Sequence, residues 1–146
     1  MLSGRYDDVL PPGGIPATQR WFTRLHSDDE VDVWLISWAP GKSTELHDHA
    51  GSLGALTLLS GSLDEYRWAG NRLRRRRLDA GDQAAFPLGW VHDVVWAPSP
   101  KPEAETPTLS VHAYSPPLTA MSYYEVTERQ TLRRVVTELT DVPEGQ

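Results

Sequence analysis

The stretch Glu30-Val-Asp-Val-Trp-Leu-Ile-Ser-Trp38 decides the fold class, because it has the alternation of a half-buried β-strand. Its β-branched and aromatic residues favour a strand over a helix. Successive side chains of an extended chain point to opposite faces, which puts Trp34 and Trp38 on the face opposite to Leu35. The turn residues Ala39-Pro-Gly-Lys42 end this predicted strand.

Short segments of the same kind continue along the chain, separated by turns rich in Gly, Pro and Asn. The predicted strands are Leu53–Leu59, Leu63–Trp68, Leu73–Leu78, Ala84–Phe86, Val91–Trp96, Leu109–Tyr114, Tyr123–Val126 and Leu132–Leu139. The last of these also fits the 3.6-residue period of a helix, and we interpret it as a strand. Many short strands at regular spacing predict an all-β fold, a barrel or sandwich with little helix.

The length of 146 residues suits a single domain. We expect an extended N-terminal segment over residues 1–20, one domain over 21–140 and a flexible tail over 141–146. Residues 97–107, in which five of eleven are proline, are predicted to form a loop.

Composition and charge exclude several function classes. The chain has no cysteine, which excludes disulfides, thiolate zinc sites and iron–sulfur clusters. No apolar run approaches the roughly 20 residues of a membrane-spanning helix, and no signal peptide is visible, so we expect a cytoplasmic protein without a membrane partner. The net charge of −6 argues against nucleic acid as a partner. The run Arg74-Arg-Arg-Arg77 is accordingly interpreted as an exposed strand.

Two histidines one residue apart, His47 and His49, are the first candidates for a functional site. On an extended strand their side chains share a face and lie about 7 Å apart. Neutral imidazoles are metal ligands, so this pair could form one edge of a metal site. Asp48 lies between them, faces the other way and is not expected to be a ligand.

The spacing around these histidines matches both sequence motifs of the cupin superfamily. The first motif reads Gly41, five residues, His47, one residue, His49, four residues, Gly54, six residues and Gly61. The second reads Gly81, five residues, Pro87, one residue, Gly89, two residues and His92. The chain differs from the usual pattern where Gly54 replaces a Glu and Trp96 replaces an Asn. The resemblance implies a small jelly-roll-like β-barrel holding a metal on three histidines and no carboxylate.

A third segment indicates which group of cupins the chain resembles. Ser110-Val-His-Ala-Tyr-Ser-Pro-Pro117 is similar to the S-L-H-x-Y-S-P-P signature of thiol dioxygenases. The stretch from Trp38 to Ser52 resembles their iron-binding strand. From about Trp21 to Tyr124 the chain therefore resembles the cysteine dioxygenase-type cupins, in their short bacterial form.

This resemblance implies a set of site residues. The iron ligands would be His47, His49 and His92, with Fe(II) as the cofactor. Ser110, His112 and Tyr114 match the Ser–His–Tyr relay of the family, and their i, i+2, i+4 spacing on a strand puts them on one face.

The resemblance also implies three substrate-binding residues, which are Arg24 and, from the relay, His112 and Tyr114. Arg24 aligns with the arginine that binds the substrate carboxylate, where relatives acting on 3-mercaptopropionate typically carry Gln, so it favours cysteine. The nearby Arg20 is the alternative. Mammalian members join a Cys to the residue equivalent to Tyr114 through a thioether. The matching position here is Gly54, so this crosslink cannot form.

The expected function is an Fe(II)-dependent dioxygenase that adds both atoms of O2 to the sulfur of L-cysteine and gives cysteine sulfinate. The expected partners are this small thiol and O2, and the expected state is a monomer. One alternative is the same chemistry on 3-mercaptopropionate, cysteamine or a larger thiol. A second is a non-catalytic cupin that binds a metal or ligand. A third is a sugar isomerase, which the absence of a Gly-rich phosphate loop disfavours.

Overall fold

The computed structural model describes residues 14, 20–41, 43–98 and 107–143. These residues form strands and turns without any helix. The strands are β1 (Trp21–Ser27), β2 (Asp32–Trp38), β3 (His47–Asp48), β4 (Leu53–Ser60), β5 (Ser62–Trp68), β6 (Leu73–Asp79), β7 (Gln83–Phe86), β8 (His92–Ala97), β9 (Thr108–Ser115), β10 (Ala120–Val126) and β11 (Leu132–Leu139).

The strands form two antiparallel sheets. One has the order β1-β2-β9-β4-β7 and the other the order β11-β10-β3-β8-β5-β6. Residues 132–139 form strand β11, which pairs with β10 rather than forming a helix. The predicted all-β fold is confirmed, and the consecutive strands β5 and β6 pair as a hairpin.

Strand β1 is the element that the sequence patterns did not predict. It pairs with β2 from Trp21 to Ser27, and its register shifts between Arg24 and His26. Such a β-bulge breaks the two-residue alternation by which a strand is recognised. The local sequence therefore lacks the signal that the neighbouring strands carry.

The hydrophobic core lies between the inner faces of the two sheets. Cross-strand pairing aligns side chains in rows across the five-stranded sheet. One row contains Arg24, Trp34, His112, Leu56 and Ala84. The next row contains Asp32, Tyr114, Gly54 and Phe86. Residues from four or five different strands thus lie in a fixed order along each row.

Several predicted segments lie largely outside the described residues. Of the N-terminal segment 1–20 only Gly14 and Arg20 are described, and the proline-rich loop is described only at its two ends. The last three residues also lie outside. Among the described residues no helix is long and apolar enough to span a membrane.

Candidate metal centre

Three histidines from two neighbouring strands converge inside the barrel. His47 in β3 is the direct cross-strand partner of His92 in β8, and His49 follows β3 immediately. Their candidate ligand nitrogens all lie within 4.8 Å of one another. The exposed fractions of His47, His49 and His92 are 0%, 3% and 0%. Three buried imidazoles at this spacing suit a divalent transition metal, so the residues present fit a metal of the kind that the family resemblance implies.

A backbone carbonyl orients His47. Its Nδ1 lies 2.7 Å from the carbonyl oxygen of Glu45, which can only accept, so Nδ1 carries the proton and Nε2 is the nitrogen suited to a metal. Glu45 has a φ of 64°, a conformation that is uncommon for a residue with a side chain. This left-handed turn aims the carbonyl at the imidazole.

A buried carboxylate orients His92. Glu65 in β5 is 2% exposed, and its Oε2 lies 2.8 Å from Nδ1 of His92. Oε2 also accepts a hydrogen bond from the Trp90 indole at 3.2 Å, and Oε1 accepts one from Arg76 at 2.7 Å. Burial alone would raise the pKa of Glu65. The net effect is a lowered pKa, because the carboxylate is stabilised by the hydrogen bond and charge of His92, by the charge of Arg76 and by the hydrogen bond from Trp90. The ionised carboxylate holds Nδ1 of His92 protonated and directs Nε2 inward.

Replacing Glu65 with Gln is expected to weaken metal binding by about 10–100-fold, the usual cost of losing a carboxylate behind a metal-bound histidine. Competition with a chromophoric chelator measures the affinity. Asp64→Asn is the matched control, because Asp64 is the preceding residue on the same strand and pairs with Arg75 instead. Equal affinities for Glu65→Gln and the parent would show that Glu65 does not support the site.

Asp48 is turned away from the three histidines, as its position between His47 and His49 predicted. Its Oδ2 accepts a 2.6 Å hydrogen bond from the Tyr124 hydroxyl, and its Oδ1 accepts one from the Ala50 amide at 3.0 Å. Burial and this bond to Asp48 raise the pKa of Tyr124. Asp48 therefore shapes the turn between the two histidines and is not in the candidate ligand group.

The three predicted relay residues lie on β9, completely buried, beside the histidine cluster. The ring of Tyr114 lies 5.1 Å from that of His49, measured between centroids. Ser110 Oγ lies 3.1 Å from Nδ1 of His112, and the rings of His112 and Tyr114 are 6.2 Å apart. The fold thus brings the relay and the candidate ligands into one site.

Trp38 also belongs to this network. Its indole Nε1 donates a 2.9 Å hydrogen bond to Ser110 Oγ. Since an indole N–H can only donate, Ser110 accepts from Trp38 and its own proton is available for Nδ1 of His112. A neutral His112 in this arrangement carries its proton on Nε2. The contact spans 72 residues, so no local motif signals it.

The structure explains why position 54 is a glycine and not the Glu of the usual cupin motif. A Cβ built there would lie 2.9 Å from Cδ2 of Phe86 and 3.5 Å from Cδ1 of Tyr114. Position 54 therefore faces the site, and the Phe86 ring fills the space that a side chain would need. The same ring stacks on His49 with centroids 5.8 Å apart.

Arg24 lies on the inner face of β1, in the same cross-strand row as His112, with Trp34 between them. Its guanidinium stacks on Trp34 at 4.6 Å and is 40% exposed. Its Nη2 lies 4.0 Å from a carboxylate oxygen of Asp32 and 3.9 Å from one of Asp141. The alternative, Arg20, stacks on Trp38 at 4.9 Å. Both arginines thus lie against tryptophans that border the relay.

A family model for cysteine dioxygenase type I matches residues 17–127. The chain belongs to this family. The cysteine dioxygenase type I match includes all three histidines of the candidate metal group and the whole of the relay. Membership points to a metal-dependent dioxygenase, and the three-histidine group is where the described residues could bind the metal.

Solved structures share the fold of this chain at low sequence identity. A conserved protein with a double-stranded β-helix domain from Klebsiella pneumoniae is 18% identical, with a TM-score of 0.57 over 89% of this chain and 93% of that one. KdgF from a Halomonas species is 16% identical, with a TM-score of 0.55 over 73% and 82%. The cupin domain of Cnp3 from Schizosaccharomyces pombe is 10% identical, with a TM-score of 0.57 over 70% and 64%. These similarities establish the cupin fold.

Proposed function

We propose that the protein is an Fe(II)-dependent thiol dioxygenase that converts L-cysteine and O2 into cysteine sulfinate. The observation that carries the proposal is the contact between the histidine cluster and the Tyr114 ring, 5.1 Å from His49. A site that only stored a metal would not need the Ser110–His112–Tyr114 series beside it. The reaction is balanced, since one thiol and one O2 give one sulfinic acid.

Iron(II), held by the three histidines, would supply coordination positions for the thiolate and O2. The electrons that reduce O2 come from the sulfur, which is oxidised from the thiol to the sulfinic acid. Three neutral imidazoles leave the full positive charge of the ion uncompensated, which favours an anionic ligand such as a thiolate. The enclosed histidines and Phe86 exclude bulk water from this position.

The relay residues hold a proton donor at the reacting atoms. We propose that the Tyr114 hydroxyl donates a hydrogen bond to the oxygen that reacts with sulfur, and that His112 orients this hydroxyl. Ser110 fixes His112, and Trp38 fixes Ser110 through its 2.9 Å bond. A donor fixed in this way costs no reorganisation during the reaction.

We propose that Arg24 binds the substrate carboxylate. Its place in the His112 row supports this role. Asp32 and Asp141 already lie within 4.0 Å of its guanidinium, so a substrate carboxylate has to compete with both. Among the alternative substrates, cysteamine is the one that this competition would not affect, because it has the thiol and amine of cysteine but no carboxylate.

Rates of O2 uptake with cysteine, 3-mercaptopropionate and cysteamine test the proposal, with sulfinate quantified by mass spectrometry. We expect cysteine to be preferred and Arg24→Gln to lower kcat/KM for cysteine by about 10–100-fold, the cost of a charge-assisted hydrogen bond. Arg24→Gln should leave the rate with cysteamine unchanged. Arg20→Gln is the matched control.

Each other outcome rejects a named part of the proposal. A preference for cysteamine, or a larger loss in Arg20→Gln, would reject Arg24 as the carboxylate-binding residue and keep the chemistry. No O2 uptake with any of the three thiols at full iron occupancy would reject the dioxygenase and favour a metal-binding cupin.

A further inference from the structure

The arginine run on β6 is divided by the structure into ion-paired and unpaired members. Arg75 pairs with Asp64 at 3.1 Å, Arg76 with Glu65 at 2.7 Å and Arg77 with Asp79 at 3.2 Å. Arg74 has no carboxylate partner among the described residues, and neither has Arg67 on the neighbouring strand β5. The function proposed above uses neither of these two side chains.

These two arginines border a cavity of about 380 Å³. It is lined by Glu65, Arg67, Arg74, Arg75, Arg76 and Trp90. Its volume lies within the usual range for sites that bind small molecules. It is a different place from Arg24, which lies on the outermost strand of the other sheet.

The charge of this cavity is positive and is not balanced within it. Arg67 and Arg74 are direct cross-strand partners, and like charges in such pairs repel each other. Glu65 does not balance them, because its two oxygens are already bonded to Arg76, Trp90 and His92. The protein as a whole has a net charge of −6, so a cationic cavity is a local exception.

Trp90 fixes the orientation of the Arg67 guanidinium. The Arg67 guanidinium lies over the indole ring, 4.2 Å from its centroid. Stacking of this kind covers one face of the guanidinium and leaves its N–H groups, which lie in its plane, able to bind an oxyanion in a bidentate way. The indole is itself held by its bond to Glu65. One of the two cationic groups is therefore already oriented.

We propose that this cavity is a binding site for a small organic oxyanion, a phosphate ester or a polycarboxylate, held by Arg67 and Arg74. An anion between the two guanidinium groups removes their mutual repulsion and satisfies their donors. The site is separate from the metal centre, although Glu65 contributes to both.

Calorimetric titration of the full-length protein with inorganic phosphate and with citrate, at constant ionic strength, tests this site. We expect saturable binding with equal affinity in the iron-loaded and iron-free forms, because the proposed site does not include the metal. Binding to the metal itself would be lost in the iron-free form. The probe that binds more tightly identifies phosphate or carboxylate as the preferred group. In ¹H–¹⁵N spectra, the Arg67 Nε–H and Trp90 indole signals should shift on binding.

Arg67→Gln and Arg74→Gln should each weaken binding at least about tenfold, and Arg74→Lys should lose less, since it keeps the charge without the fork. Arg72→Gln is the matched control, because Arg72 is an exposed arginine in the turn of the same hairpin. Absence of saturation with both probes, an equal loss in Arg72→Gln, or binding that needs the metal would each overturn the proposal. The spectra also report whether every variant is folded.

Discussion

His92→Ala is expected to lower metal affinity by more than about 100-fold, beyond the range for losing a supporting carboxylate. His92 is completely buried, is one of three residues whose candidate ligand atoms lie within 4.8 Å, and is anchored by Glu65. Its removal leaves two imidazoles and disconnects Glu65 from the site. Metal content per chain after reconstitution with Fe(II), measured by inorganic mass spectrometry, gives the result.

The control for this experiment is His26→Ala. His26 is an exposed histidine that bonds to Asp28 at 2.7 Å, far from the cluster in the sequence and without an assigned role. It should retain the metal content of the parent protein. Normal metal loading of a folded His92→Ala protein would contradict the proposed ligand set, and parallel loss from His26→Ala would show that the assay reports general damage.

Tyr114→Phe is expected to lower kcat for O2 uptake by about 100-fold and to leave metal content unchanged. The substitution removes only a hydroxyl, and the ring keeps its packing against His49 and under Gly54. Loss of a single fixed donor to a developing oxyanion has an effect of this size. Turnover per bound iron separates the chemical effect from metal loss.

Tyr66→Phe is the matched control, since Tyr66 lies on β5 between Glu65 and Arg67 and its side chain alternates to the opposite face. Unchanged turnover in Tyr114→Phe would remove the hydroxyl from the proposed mechanism. Loss of iron together with turnover would instead mean that Tyr114 holds the site together.

The strands other than β1 and the three histidines of the candidate metal group were predictable because their signals are local. Alternation identified β2, and the spacing of glycines and histidines identified His47, His49 and His92. The supports of the site were not predictable in this way. Glu65 reaches His92 across 27 residues, and Trp38 reaches Ser110 across 72. Such contacts depend on strand order and register, which the sequence of one chain does not encode locally.

The carbonyl that orients His47 was hidden for a different reason. It depends on the left-handed conformation of Glu45. Glycine or asparagine at this position would have predicted that conformation, but a glutamate does not. The two carboxylates beside Arg24 were also not predictable from local sequence, since Asp32 and Asp141 lie 8 and 117 positions away in the chain.

The contact between Gly54 and Phe86 means that two positions 32 residues apart share one volume. A side chain at 54 would overlap the ring at 86, so the two positions cannot both be large. Substitutions there are expected to be non-additive, and a residue larger than glycine at 54 requires a smaller one at 86. Among relatives, the two positions should therefore vary together, and a search for chains able to form a thioether at the first position should begin with those that have a small residue at the second.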